Sequence, residues 1–405
     1  MKLIKLIVKE DLYNNSLWLI ADSVILTIFG FFFWTINARL FSSEQIGIAS
    51  ALIVTAELLV AISMLGFDIA IIRYITNMSK KNLIINSCFS LAGITAFLIS
   101  IIFVLNIGFF SPKLSLLENN IFGVLFVIFV VFNILFELMG AVFIGLRKSK
   151  FTFILDAIFS IVKLIFPFVF VFLGAFGIFS SWMISIIISL VVGLIFFDLA
   201  LKFEIHKETI KKMFKFSIAN YLSNLLSRAP SLLLPLLIAN LINPVTTAYF
   251  YIAWMITSVL FIIPSSISKS LLAQGNMSKK SLRNNVKKSI YFTFLLLIPA
   301  VIIMVFSSKY LLLLFGSEYS INAFRLLQIL ALSSIPYAVV VIYTTIKNVK
   351  HEINVVLAIN FLIAASTLSL SYLFIDYGIL MIGVFWLVTQ IVAAIYSALK
   401  LIKID

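Results

Sequence analysis

About twelve apolar runs, each long enough to cross a bilayer as a helix, leave this chain few folds to adopt. They lie near 17–37, 46–72, 85–109, 121–145, 152–174, 177–197, 214–240, 246–272, 289–307, 322–346, 353–374 and 378–399. Each reaches or exceeds the ~18 to 20 residues that span the hydrocarbon core. Composition agrees: 63% of the 405 residues are hydrophobic and 11% charged, against roughly half and a quarter in soluble domains. A transmembrane β-barrel would alternate apolar and polar residues along ~10-residue strands, whereas these runs are apolar all round. The expected fold class is all-α integral membrane. The single cysteine, Cys88, falls inside the third run and reads as a small buried hydrophobe.

Orientation follows from the basic residues, which short cytoplasmic loops retain. Counting loops alternately, one set carries 24 of the 30 Lys and Arg and the other only Arg39, Lys113 and Lys309. Both termini are then cytoplasmic, in a cell membrane crossed many times. The net charge of +14 is explained by topology, and no nucleic-acid partner is needed. The opening MKLIKLIVKEDLYNN has no small-residue cleavage site and reads as an amphipathic cytoplasmic lead-in.

The chain also repeats itself. NMSKK occurs at 77–81 and again at 276–280, 199 residues later, each time after the second span of a six-span half. At a shift of 201, ARLFSSEQIGIA (38–49) falls on ANLINPVTTAYF (239–250) and GLRKSKF (145–151) on IKNVKHE (346–352), with Gly177 matched to Gly378. Two parallel six-helix repeats follow: one lobe over 1–200, a charged connector over 201–213 that reads as an amphipathic surface helix, and a second lobe over 214–405. Such repeats are a transporter arrangement with the substrate site between halves.

Polar side chains inside the spans are the candidate functional residues, because a charge left in lipid costs about 3 kcal/mol or more. In span seven, Ser217, Asn220, Asn224, Ser227, Arg228 and Ser231 recur at steps of three, four or seven and share one helix face. A stripe of Ser16, Ser23, Thr27, Gly30 and Asn37 runs along span one beside Asp22, and the two stripes are expected to wall a cavity. Five acids, Asp22, Glu57, Asp68, Glu137 and Asp156, lie in the first half and are candidate carriers of a coupling proton or sodium ion. Each has a structural alternative. Asp156 and Lys163, seven apart in span five, can neutralise one another; Asp68 can pair with Arg73; Glu57 and Glu137 can hydrogen-bond between helices. Glu57 and Asp68 read as three turns apart on one face of an unbroken span two. Arg325, near the outer end of span ten, reads as a snorkelling anchor. Pro167, Pro230, Pro235, Pro264, Pro299 and Pro336 interrupt spans and fit bent, rocking helices.

No phosphate-binding loop, zinc spacing or nucleophile elbow occurs, and the outer loops are short. The expectation is a transporter and not an enzyme, with no cofactor and no metal, driven by an ion gradient, the membrane potential or its substrate's own gradient.

Two stretches carry a family resemblance. NARLFSSEQIGIASALIVTAELLVAISMLGFDIAIIRYI (37–75), through Ala38-Arg39-Leu40, Glu44, Gly47, Gly66 and Arg73, and LLLLFGSEYSINAFRLLQILALS (311–333) resemble polysaccharide-export flippases of the O-antigen type. These belong to the multidrug/oligosaccharidyl-lipid/polysaccharide (MOP) transporter superfamily; Ser42-Ser43 stand where that pattern has Gly-Pro. The resemblance implies a MATE-like fold and export of a polyprenyl-pyrophosphate-linked oligosaccharide by alternating access. Arg228 would contact the anionic headgroup, with Asn224, Asn220 and Ser231 beside it and Lys163 as a weaker candidate. The lipid bilayer and a glycan polymerase or transferase are the further partners implied. Two alternatives stay open: a cation-coupled exporter of amphipathic drugs on the same fold, which the acids favour and Arg228 opposes, and a non-transporting scaffold of a glycan-assembly complex.

Overall fold

Lipid offers no partner to backbone N–H and C=O groups, so a spanning segment must satisfy them internally, and helices do so. The computed structural model describes residues 2–75, 81–196, 201–273 and 279–402, and among these there is no strand. The helices are α1 (Lys2–Leu40), α2 (Ser43–Ser63), α3 (Phe67–Tyr74), α4 (Lys81–Leu105), α5 (Ile107–Phe110), α6 (Asn120–Gly145), α7 (Ser149–Val169) and α8 (Ala175–Phe196), followed by α9 (Lys207–Leu241), α10 (Pro244–Ala273), α11 (Lys279–Leu313), α12 (Ser317–Val349), α13 (Ile353–Leu373) and α14 (Ile379–Ile402). Among the described residues, twelve of these, all but α3 and α5, are long and apolar enough to cross a membrane. The protein is a multi-pass membrane protein built from two six-helix repeats.

The chain divides into two compact units, Met1–Phe41 with Ile48–Tyr221, and Ser42–Gly47 with Leu222–Asp405. In the first, α7 packs between α1 and α8, and α6 meets α3, α4 and α8. Phe126 and Phe179 stack at 5.5 Å in that core. In the second, α12 is central and touches α10, α11 and α14. Trp254 and Trp386 lie 5.0 Å apart there, and the Trp386 indole donates to Ser333 Oγ at 2.9 Å.

The repetition extends to individual hydrogen bonds. Ser42 Oγ accepts from Gln45 N and Ser42 O from Ile46 N; 201 residues on, Asn243 Oδ1 accepts from Thr246 N and Asn243 O from Thr247 N. Later in each half the shift becomes 204. Arg147 and His351 both have φ of 59°, and the turns they close share one pattern, Lys148 N to Phe143 O and Glu352 N to Lys347 O, each 2.8 Å. This corrects two expected alignments: GLRKSKF and IKNVKHE pair three residues further along, and Gly378 matches Gly174 rather than Gly177. Gly174 and Gly378 both have positive φ and both end a short 3-10 turn, at Val171–Leu173 and Ile375–Tyr377. In the second hairpin Lys347 donates to Glu352 at 2.6 Å. That bond holds the Glu352 carboxyl below its ordinary value, so the closure is present above the usual carboxylate range and is lost as pH falls through the lowered value.

Three other expectations change. Span two is not one helix, because Leu65 (φ 50°) and Gly66 (φ 77°) break it between α2 and α3; Glu57 and Asp68 therefore lie on separate helices. The connector is not a separate surface helix: 201–206 are non-helical, and α9 starts at Lys207 and runs into span seven. Asn86 Oδ1, Ser90 Oγ and Ser87 Oγ accept from the backbone of Lys202, Glu204 and His206 and lay this strap along α4. Asn37, expected to line a cavity, is fully buried and donates to Phe33 O on its own helix. The six prolines sit inside helices that continue past them, and the NMSKK copies fall largely outside the described residues.

Ser42–Gly47 belongs with the second unit, where Ser43 Oγ donates to Glu318 at 2.9 Å. A Cβ added to Gly47 would lie 1.7 Å from Pro244 O, a backbone atom with little room to retreat. Gly47→Ala should therefore lower stability by about 1 to 3 kcal/mol, read as a fall in the melting temperature of the detergent-solubilised protein; an unchanged melt would mean that this approach is not maintained.

Candidate functional site

Four of the five membrane acids meet in one cavity of the first unit. It has a volume of about 310 Å³ and is lined by Asp22 of α1, Asp68 of α3, Glu137 of α6 and Asp156 of α7, with Thr152, Gly140 and apolar side chains between them. The residues converge because α1 packs on α7, α3 on α6 and α6 on α7. Asp156 shares a hydrogen bond with Asp22 and feels the charges of Lys163 and Glu137. Glu57 lies outside this lining and acts instead on Lys163. Four acids on a shared cavity can hold and pass a proton, which isolated acids in lipid cannot do; among the described residues no group of three or more His, Cys, Asp or Glu is arranged to hold a metal ion.

Asp68 reaches this cavity through the break in span two. Interrupting the helix frees carbonyls that lipid cannot satisfy. Phe67 N turns to Met64 O, and side chains take over the abandoned acceptors: Tyr221 Oη donates to Ile62 O at 2.8 Å, and Thr95 Oγ1 lies 3.0 Å from Ser63 O. Gly66 is required twice, by its φ and by space, since a Cβ would stand 2.8 Å from Ser217 Oγ and 2.9 Å from Tyr221 Cβ. Sequence reading noted Gly66 but missed Tyr221 and Thr95, for which no local signal exists. Tyr221→Phe, which removes only the donor, should cost about 1 to 2 kcal/mol; a thermal melt identical to wild type would show that Ile62 O finds another donor.

The remaining candidates fall elsewhere. Along α9, Asn224, Ser227 and Arg228 are exposed, Asn220 and Ser231 are half-buried, and Ser217 is buried. The Ser227 and Ser231 hydroxyls donate to Asn224 O and Arg228 O of the same helix, which leaves the Asn220 and Asn224 amides and the Arg228 guanidinium as the distinctive chemistry of this face. Lys163 is 1% exposed, and its ammonium lies over the Phe159, Trp182 and Phe33 rings. Arg325 is exposed near the start of α12.

Residues 36–323 match the sequence profile of a family described as polysaccharide biosynthesis protein. The chain belongs to the polysaccharide biosynthesis protein family. A curated relative, "Putative O-antigen transporter" of Shigella flexneri, is 27% identical over 143 residues, 33% of this chain and 34% of its own length. The chain thus matches about a third of that relative's length. Among solved structures it is similar to the lipid II flippase MurJ in an inward closed conformation, with a TM-score of 0.81 at 14% identity over 95% of this chain and 87% of that one. It is also similar to an inward-facing multidrug resistance MATE family transporter of the MOP superfamily, with a TM-score of 0.67 at 15% identity over 96% and 95%. At such identities the likeness is one of fold, and the fold is that of MOP superfamily transporters. For this member of the polysaccharide biosynthesis family, the two chemically distinct features are the acidic cavity of the first unit and the Arg228 face of α9.

Proposed function

We propose that this protein is a flippase that carries a lipid-pyrophosphate-linked oligosaccharide from the cytoplasmic to the outer leaflet of the cell membrane by alternating access, for surface-glycan synthesis. The observation that carries this reading is the family match over 36–323 on a chain whose fold is shared with the lipid II flippase MurJ. Arg228, with Asn220, Asn224 and Ser231, is assigned to the anionic headgroup, because a guanidinium matches pyrophosphate oxygens in bidentate fashion. Asp22, Asp68, Glu137 and Asp156, with Glu57 behind them, are assigned to the coupling proton or sodium ion. Both termini are assigned to the cytoplasm on the distribution of Lys and Arg. A glycan polymerase or transferase is the natural partner at the outer face.

Deleting the protein tests this directly. Cells lacking it should accumulate lipid-linked oligosaccharide on the cytoplasmic leaflet, and wild-type protein should clear it. The acidic cavity favours a second reading, a cation-coupled exporter of amphipathic drugs. That reading predicts unchanged lipid-linked glycan in the deletion strain together with greater sensitivity to amphipathic cations.

A further inference from the structure

Lys163 is a buried charged side chain that the flippase reading leaves without a specific task. Its ammonium stands 4.3 Å from the Phe159 ring centroid, 4.7 Å from Trp182 and 6.0 Å from Phe33. Phe33 and Phe159 each meet Trp182 at 5.4 Å and 73°, so the rings of α1, α7 and α8 brace one another into a box. Asp156 and Glu57 act on the side chain through space. Ring faces converging on an ammonium are the chemistry by which proteins recognise alkylammonium ligands.

We infer that the Phe33–Phe159–Trp182 cage is an organic-cation site that the chain fills with its own Lys163. The site is closed to solvent, since its occupant is 1% exposed, and the tethered side chain is held there by its own helix, so a free cation competes with it at a disadvantage. The same fold serves a multidrug resistance transporter; here the built-in occupant excludes free alkylammonium ions from the cage. Lys163 is on this view a specificity-determining residue, and the inference goes beyond the flippase reading and stands apart from it.

Lys163→Ala removes Cγ, Cδ, Cε and Nζ, the atoms of n-propylammonium, so that ion is the probe. Purified full-length K163A should bind n-propylammonium saturably, seen as a change in tryptophan fluorescence and a rise in melting temperature, about tenfold more tightly than wild type does. K163M, which refills the box with an apolar chain, and K163A/F159A/W182A, which dismantles it, should not respond. Binding by K163A no tighter than by wild type, or equal binding by the variant without the rings, would overturn the inference. Should K163A fail to survive purification, n-propylammonium in the buffers should restore its yield where sodium chloride of equal ionic strength does not; failure of that rescue overturns the inference equally.

Discussion

Arg228→Ala should leave the protein in the membrane at its normal level and abolish its ability to clear lipid-linked oligosaccharide. Arg228 is exposed on α9, so truncating it opens no cavity in the core, and an effect on turnover is separable from one on folding by immunoblot. A charge-assisted hydrogen bond contributes about 1.5 to 3 kcal/mol, and a bidentate guanidinium makes two. Losing about 3 kcal/mol of headgroup interaction lowers turnover by roughly two orders of magnitude. Arg228→Lys keeps the charge and loses the fork, and should clear the lipid at an intermediate rate. If R228A clears it as fast as wild type, the headgroup does not sit on this face, and the amphipathic-cation assay becomes decisive.

Asp156→Asn should uncouple transport from its ion gradient. Asn nearly matches the shape of Asp and can still donate toward Asp22, but it neither titrates nor carries charge. One elementary charge moved across ~100 mV supplies about 2.3 kcal/mol, a roughly fifty-fold concentration ratio. In proteoliposomes with an imposed proton or sodium gradient, D156N should lose the gradient-stimulated part of the flux and keep the slow downhill part. Asp22→Asn should do the same, because the two carboxyls share a hydrogen bond, and the double variant should be no worse than either single one, since groups that act as a unit are not additive. A D156N protein that still responds fully to both gradients would remove the cavity from the coupling path.

The expectations that survive are those that depend on local sequence. Transmembrane helices are read from windows of about twenty residues, and the twelve spans came out in place. The repeat was legible too, although its register drifted. The turn at Arg147 and the turn at His351 share backbone geometry without sharing residue types, so letter matching at a shift of 201 slid past a true offset of 204. The break in span two was illegible for a different reason. Hydropathy does not register φ, and Gly66 inside an apolar run looks like a packing glycine until the groups of Tyr221 and Ser217 press against it.

By itself the sequence determined that this chain lives in a bilayer, that it is built as two copies of a six-helix unit, and that its membrane acids belong to the first copy. These follow from residue-by-residue transfer free energies and from counting, neither of which requires a fold. Only the tertiary structure decided that four of those acids share one cavity. Asp22, Asp68, Glu137 and Asp156 are separated by up to 134 positions in the chain, and their meeting depends on which faces of α1, α3, α6 and α7 touch. Lys163 shows the same division. Its charge inside a span marked it as a residue with a partner, and Asp156 does act on it, but two of the three rings around it, Phe33 and Trp182, come from other helices, and only helix packing brings them there.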